Sequence, residues 1–168
     1  MSIGTRSVLF GVHQFLLHPV FVFLAWLIIY RRLPRLYELM AIITHDLGYW
    51  GKRDMDGAEG ESHPEATARI WQRHFGKFGE RVADEILGHS GYYVRYNGAV
   101  LSKLYRADKL AGALYPMWLY LLLGNLSGEI REYMSCPKYD NSGVRGQIQW
   151  LISTQAYMAR VGLYGEGA

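Results

Sequence analysis

Leu36–Lys52 reads LYELMAIITHDLGYWGK. Its first eight residues carry apolar side chains at the spacing of a helix packed into a core. The segment then runs into an adjacent histidine and carboxylate, His45 and Asp46, before Gly48 and Gly51 offer a turn. Ionisable groups buried at the end of an apolar helix are costly unless paired or bound to a metal. Two readings are therefore open: a polar cap with a surface carboxylate, or a pair of metal ligands.

Outward from this segment the helical pattern recurs. A first helix is expected over Ser7–Leu17, and Pro19 suits the opening turn of a second helix reaching Arg32. Pro34 opens the helix that ends at His45-Asp46. The acidic, glycine-rich stretch Asp54–Glu61 reads as a loop, after which Ser62 and Glu65 fit a capping box, with Pro64 in the first turn and an end near Gly76. ERVADEILGH is a further helix and GYYVRYNG a loop. AVLSKLYRADKLAGALY gathers Val100, Leu101, Leu104, Ala107, Leu110 and Ala111 on one face. Short helices are expected over Met117–Leu123 and around Ile130, a loop at CPKYDNSG, and a last helix through QIQWLISTQAYMARV. No strand-like alternation or internal repeat appears. The expectation is an all-α, single-domain helical bundle spanning residues 1–168.

Composition narrows the function classes. The chain is half hydrophobic and one-fifth charged, which fits a folded domain. A net charge of +3 is too weak to suggest a nucleic-acid binder. The lone Cys136 excludes an internal disulfide and fits a reducing compartment. The longest apolar run, Val20–Tyr30, is far short of the about 20 residues a membrane span requires. The N-terminal residues lack the pattern of an export signal. A cytoplasmic protein without a membrane or nucleic-acid partner is expected.

Histidine is the informative residue. Of His13, His18, His45, His63, His74 and His89, four stand at expected helix ends or turns: His18 and His63 precede prolines, His45 precedes Asp46, and His89 precedes Ser90-Gly91. Histidines and carboxylates placed this way in a helical bundle can converge on metal ions. Imidazole and carboxylate suit manganese, iron, cobalt, nickel or zinc.

The order His18, His45-Asp46, His63, His89 and Asp108 resembles the HD superfamily of metal-dependent phosphohydrolases, whose minimal signature is His…His-Asp…Asp on a helical bundle. The two intervening histidines are similar to the subset that binds two metals. The resemblance spans roughly Val12 to Leu114. It implies that His18, His45, Asp46 and Asp108 hold one divalent transition-metal ion, and that Asp46 bridges to a second ion on His63 and His89. It also implies catalytic roles for Asp46 and Lys52, although relatives with a lysine there have the shorter His-Asp-x-Gly-Lys, without Tyr49-Trp50. The cyclic-dinucleotide branch has a Gly-Tyr-Pro segment that GHSGYYVRY does not match. One branch with the same ligand order uses two irons to cleave C–H or C–P bonds.

Bland alternatives stand beside these assignments. Asp108 can pair on its helix surface with Lys109 or Arg106. His63 and His89 can be helix-end residues, in which case one metal binds. His13 competes with His18, but five residues apart they leave a helix on different faces, and the turn at Pro19 favours His18. His74 reads as a surface residue. Arg106, Lys109 and Arg95 are the expected phosphate-binding cations, and Tyr92, Tyr93 and Tyr96 are candidates to stack on a nucleobase. The expected function is phosphohydrolysis of a small phosphate ester or anhydride, with a nucleotide favoured. A di-iron oxygenase and a non-catalytic binding domain are the alternatives. The C-terminal third is open to completing the core or to forming a homo-oligomer interface.

Overall fold

The computed structural model describes residues 1–136 and 145–165. Among them the chain is all-α, with ten helices and no strand: α1 (Ile3–Phe10), α2 (Leu17–Tyr30), α3 (Leu36–Thr44), α4 (His63–His74), α5 (Gly76–Leu87), α6 (Gly91–Asn97), α7 (Lys103–Leu114), α8 (Met117–Ser127), α9 (Glu129–Ser135) and α10 (Gln147–Tyr164). Tight 3-10 turns cover His45–Tyr49 and Gly60–Ser62. The expected loop at CPKYDNSG lies mostly outside the described residues.

The main core joins α2, α3, α4, α5 and α7. Trp26, Ile42, Ile86 and Leu104 fill it, while Ala25, Ala41, Ala68, Ala83, Ala107 and Ala111 let the helices approach closely. An ion pair closes its edge. The Arg32 guanidinium donates to both oxygens of the buried Glu38, at 2.7 and 2.6 Å, and that carboxylate also accepts the Arg35 backbone N–H at 2.6 Å. Glu38 therefore stays charged inside the fold, fixing the turn from α2 into α3.

A second core of Val12, Tyr115, Tyr120, Ile130, Trp150 and Leu151 is built largely from the C-terminal third. α10 lies along α7, where Gly162 brings its backbone onto Leu110 and Gly112 makes room for Met158. Gln155 Nε2 donates to the carbonyls of Gly112 (3.2 Å) and Tyr115 (2.8 Å), tying α10 to the end of α7. Among the described residues this third completes the core behind Asp108. No single helix among the described residues is long and apolar enough to cross a membrane.

Three local expectations are corrected. The first helix ends at Phe10, and residues 11–16 form a loop. A Cβ at Gly11 would come within 2.5 Å of Glu129 Oε2, so the chain passes α9 too closely for any other residue. The Ser62–Glu65 capping box does not form: Ser62 Oγ accepts from Lys52 Nζ at 2.8 Å and donates to the Glu59 carbonyl at 2.7 Å. GYYVRYNG is helix α6, capped by Ser90 Oγ accepting from the Tyr93 N–H at 3.2 Å and stopped by Gly98 in the left-handed region.

Candidate metal centre

Five elements deliver six ionisable side chains to one point. His18 comes from the first turn of α2, and His45 and Asp46 from the 3-10 turn after α3. His63 opens α4, His89 follows α5, and Asp108 lies midway along α7. Gly48 makes the junction possible. A Cβ there would stand 1.9 Å from the His63 carbonyl oxygen, so only glycine lets the His45–Tyr49 turn sit on the start of α4. All four histidines are at most 5 % exposed.

Asp46 stands between two groups. Its Oδ2 lies 3.2 Å from His18 Nε2 and 3.3 Å from His45 Nε2. Its Oδ1 lies 3.6 Å from His63 Nε2 and 3.8 Å from His89 Nε2. Asp108 Oδ1 completes the first group at 3.1 Å from His18 Nε2 and 3.6 Å from His45 Nε2. Within each group the candidate ligand atoms all fall within 4.8 Å of one another.

The hydrogen bonding of the rings suits metal ligation. His45 Nδ1 donates to the Ile42 carbonyl at 3.0 Å and His63 Nδ1 to the Gly60 carbonyl at 2.7 Å; His89 Nδ1 donates to the Ile86 carbonyl. A carbonyl only accepts, so each Nδ1 carries a proton, and each ring in its neutral form turns its Nε2 lone pair inward. His63 Nε2 and His89 Nε2 face each other at 3.1 Å, two lone pairs that repel unless a cation lies against both. Buried His45 Nε2 and Asp46 Oδ2 have no hydrogen-bond partner despite their proximity. Orphaned polar atoms aimed at a shared point, in an all-nitrogen-and-carboxylate donor set, fit one or two transition-metal ions.

Electrostatics agree. Burial opposes ionisation of Asp46, yet the charge of the adjacent His45, with those of His13 and His18, holds its carboxyl far below the usual range. Asp108 is likewise lowered against its burial by the hydrogen bond with His18 and the nearby His45, then by Lys109. Burial and the neighbouring His89 push His63 well below an ordinary imidazole, and burial with His45 takes His89 down to about 4. His45 is pulled down by burial but driven up to about 10 by Asp46 and Asp108. Ionised carboxylates and neutral histidines are the forms that bind metal; His45 must release its proton when an ion enters.

The six residues expected as ligands thus come together, and His74 is exposed on α4. The expected cations divide. Lys109 Nζ is 3.7 Å from Asp108 Oδ2, beside the centre. Arg106 is a correction: its guanidinium donates to the Gly162 carbonyl at 3.0 Å and to the Leu163 carbonyl, docking α10 rather than meeting the centre. Arg95 is exposed on α6, away from the six residues' hydrogen bonds, with Tyr92 and Tyr96 paired at 4.3 Å on the same helix. Lys52 Nζ is engaged by Ser62, one residue before His63, so it braces the start of α4.

His13 sits in the loop before α2 rather than on a helix face, and its ring lies 5.4 Å from those of His18 and Tyr49. Its Nδ1 is 2.6 Å from Oε1 of Glu129, a fully buried carboxylate that no motif or spacing singles out. Burial pulls the His13 pKa down, but the Glu129 hydrogen bond and the charges of Asp46, Glu129 and Asp108 raise it to about 9.

Fold and site define an all-α protein whose buried histidine–aspartate cluster can hold metal ions. Compared with family models, curated proteins and solved structures, the chain matches none.

Proposed function

We propose that this chain is a metal-dependent phosphohydrolase of the HD superfamily, acting on a small phosphate ester or anhydride, with nucleotides the favoured class. The observation that carries the reading is the placement of Asp46, one carboxylate oxygen toward His18 and His45 and the other toward His63 and His89. A carboxylate so placed would help to hold an ion in either group and would partly cancel its charge. Bound there, divalent metal ions would supply an acidified water as nucleophile and neutralise a phosphoryl oxygen.

The chain's own residues prepare that chemistry. Asp46 and Asp108 stay ionised, and the backbone carbonyls of Ile42, Gly60 and Ile86 hold three rings in the ligating tautomer. Burial of the histidines keeps bulk water from competing for them. Lys109, the cation beside Asp108, is suited to bind substrate charge.

The test is a phosphate-release screen over nucleotides and sugar phosphates with manganese, iron, cobalt, nickel and zinc. Oxygen consumption and iron content are followed in parallel. Metal-dependent release supports the reading. Inactivity with every metal, together with oxygen consumption by the iron-loaded protein, transfers the site to oxygenase chemistry.

A further inference from the structure

The helix that carries His18 turns only apolar residues to solvent. α2 reads LHPVFVFLAWLIIY, and its inward side chains, His18, Val22, Ala25 and Trp26, are buried. The outward ridge runs at four-residue steps from Leu16, just before the helix, through Val20, Leu24 and Ile28. These four are 66, 52, 44 and 49 % exposed. A helix on the surface of a folded domain ordinarily turns polar and charged side chains outward. α2 instead holds an apolar strip about 18 Å long against solvent.

Cations gather at one end of this strip. α2 stops at Arg31, which is in the left-handed region, and the chain runs through Arg32, Leu33, Pro34 and Arg35 into α3. Arg32 is committed to the buried Glu38. Arg31 and Arg35 are exposed, and Leu33 projects between them at 71 % exposure. At the same end the Nζ of Lys103, also exposed, lies 6.0 Å from the centroid of the Tyr30 ring. Residues 15–37 contain no aspartate or glutamate.

The charge pattern selects the occupant. In a twofold dimer the same patch meets itself. Two copies of this face would lay one apolar strip on the other, yet neither would offer the other's arginines a carboxylate from within the patch. A bilayer surface containing anionic lipid meets both needs, since the acyl boundary takes the aliphatic side chains and the charged headgroups take the cations. We propose that α2 and the Arg31–Arg35 turn form a docking face for an anionic membrane surface, on which the protein lies without crossing it. The proposal departs from the absence of a membrane partner expected from the sequence, and it is independent of the phosphohydrolase reading.

The test is flotation of the full chain with vesicles of phosphatidylcholine, alone or with about one-third phosphatidylglycerol. Light scattering follows the oligomeric state, and the melting temperature is measured for each variant. The wild type is expected to float with the anionic vesicles and to bind neutral ones at least about 10-fold more weakly. Leu24→Glu combined with Ile28→Glu puts carboxylates on the strip and is expected to abolish flotation. Arg31→Asn combined with Arg35→Gln leaves the strip intact, asparagine being suited to the left-handed position. That pair is expected to weaken binding by about 30-fold, two cations at about 5-fold each. If the glutamate pair lowers the melting temperature, the arginine pair decides alone. A wild type that floats with neither vesicle, or equally with both, would overturn the proposal, as would wild-type binding by the arginine pair. A wild type that ignores vesicles but forms a dimer that Leu24→Glu dissolves would overturn it in favour of a second copy.

Discussion

Replacing Gly48 with alanine tests whether the metal centre depends on the closeness of two backbone segments. The added Cβ would lie 1.9 Å from the His63 carbonyl oxygen and 2.8 Å from its carbonyl carbon. Both are backbone atoms at the start of α4, so no side-chain rotation relieves the clash. The His45–Tyr49 turn and α4 must separate by about 1 Å or more, a forced overpacking that costs about 1–3 kcal/mol. For a domain of this size that corresponds to a melting temperature lower by about 3–10 °C. The functional consequence is asymmetric. His18 and Asp108 lie on α2 and α7, outside the pair that separates, whereas His63 lies on α4, and its Nε2 is already 3.6 Å from Asp46 Oδ1. Gly48→Ala should therefore bind the ion of the His18/His45/Asp46/Asp108 group and lose much of the affinity of the His63/His89 group. Metal titration with elemental analysis reads the stoichiometry, and calorimetry reads the melting point. A variant that binds metal as the wild type does and melts within 1 °C or so of it would refute the claim that glycine is required for space at this turn.

Asp46→Ala should empty both groups of metal and abolish activity, because it removes the shared carboxylate; His18→Ala should empty only the first group, which elemental analysis separates from loss of both. In metal-free protein, stability should peak near pH 6.5. His89, at about 4 in the fold against about 6.5 unfolded, stays neutral while the unfolded chain takes up a proton, so stability falls as pH drops from 6.5 toward 4. His13, at about 9, and His45, at about 10, reverse the sign: their contribution is complete below 6.5 and is lost as pH rises through their folded values. Urea unfolding of the metal-free protein across pH 5–9 or so checks the dome, and a monotonic profile would contradict it. Lys109→Ala should raise KM at least as much as it lowers kcat, whereas Arg106→Ala should cost about 1 kcal/mol of stability with KM unchanged, since its guanidinium holds α10.

Much of the fold was legible because its signals are local. Apolar periodicity and the prolines at 19, 34 and 64 located most of the helices, and no segment alternated as a strand does. The misplaced elements were those where a distant partner overrides local preference. Residues 11–16 continue the apolar pattern of α1, yet the chain leaves the helix because Glu129 takes the Val12 N–H and Gly11 has to pass against α9. Ser62 and Glu65 have the right spacing for a capping box, but Lys52 and the Glu59 carbonyl occupy the hydroxyl. GYYVRYNG has the glycines of a loop, and those glycines bracket a helix, with Ser90 capping one end.

The site divides along the same line. The order of His18, His45-Asp46, His63, His89 and Asp108 was readable because each ligand type has a narrow chemical purpose, and the order survives whatever the intervening chain does. The partners that orient them were not readable. Three are backbone carbonyls, invisible in any sequence, and Glu129 is separated from His13 by most of the chain. Arg106 shows the opposite failure. Proximity in sequence to Asp108 suggested a phosphate ligand, but two residues along a helix turn a side chain to nearly the opposite face. The guanidinium follows that rotation to the carbonyls at the end of α10, while Lys109, the next residue after Asp108, reaches its carboxylate. Sequence order therefore identifies which atoms can bind metal, and helix geometry decides which neighbours can bind what the metal attracts. His13 shows the same division: only the fold, by bringing Glu129 to its Nδ1, sets it apart from the candidate ligand His18.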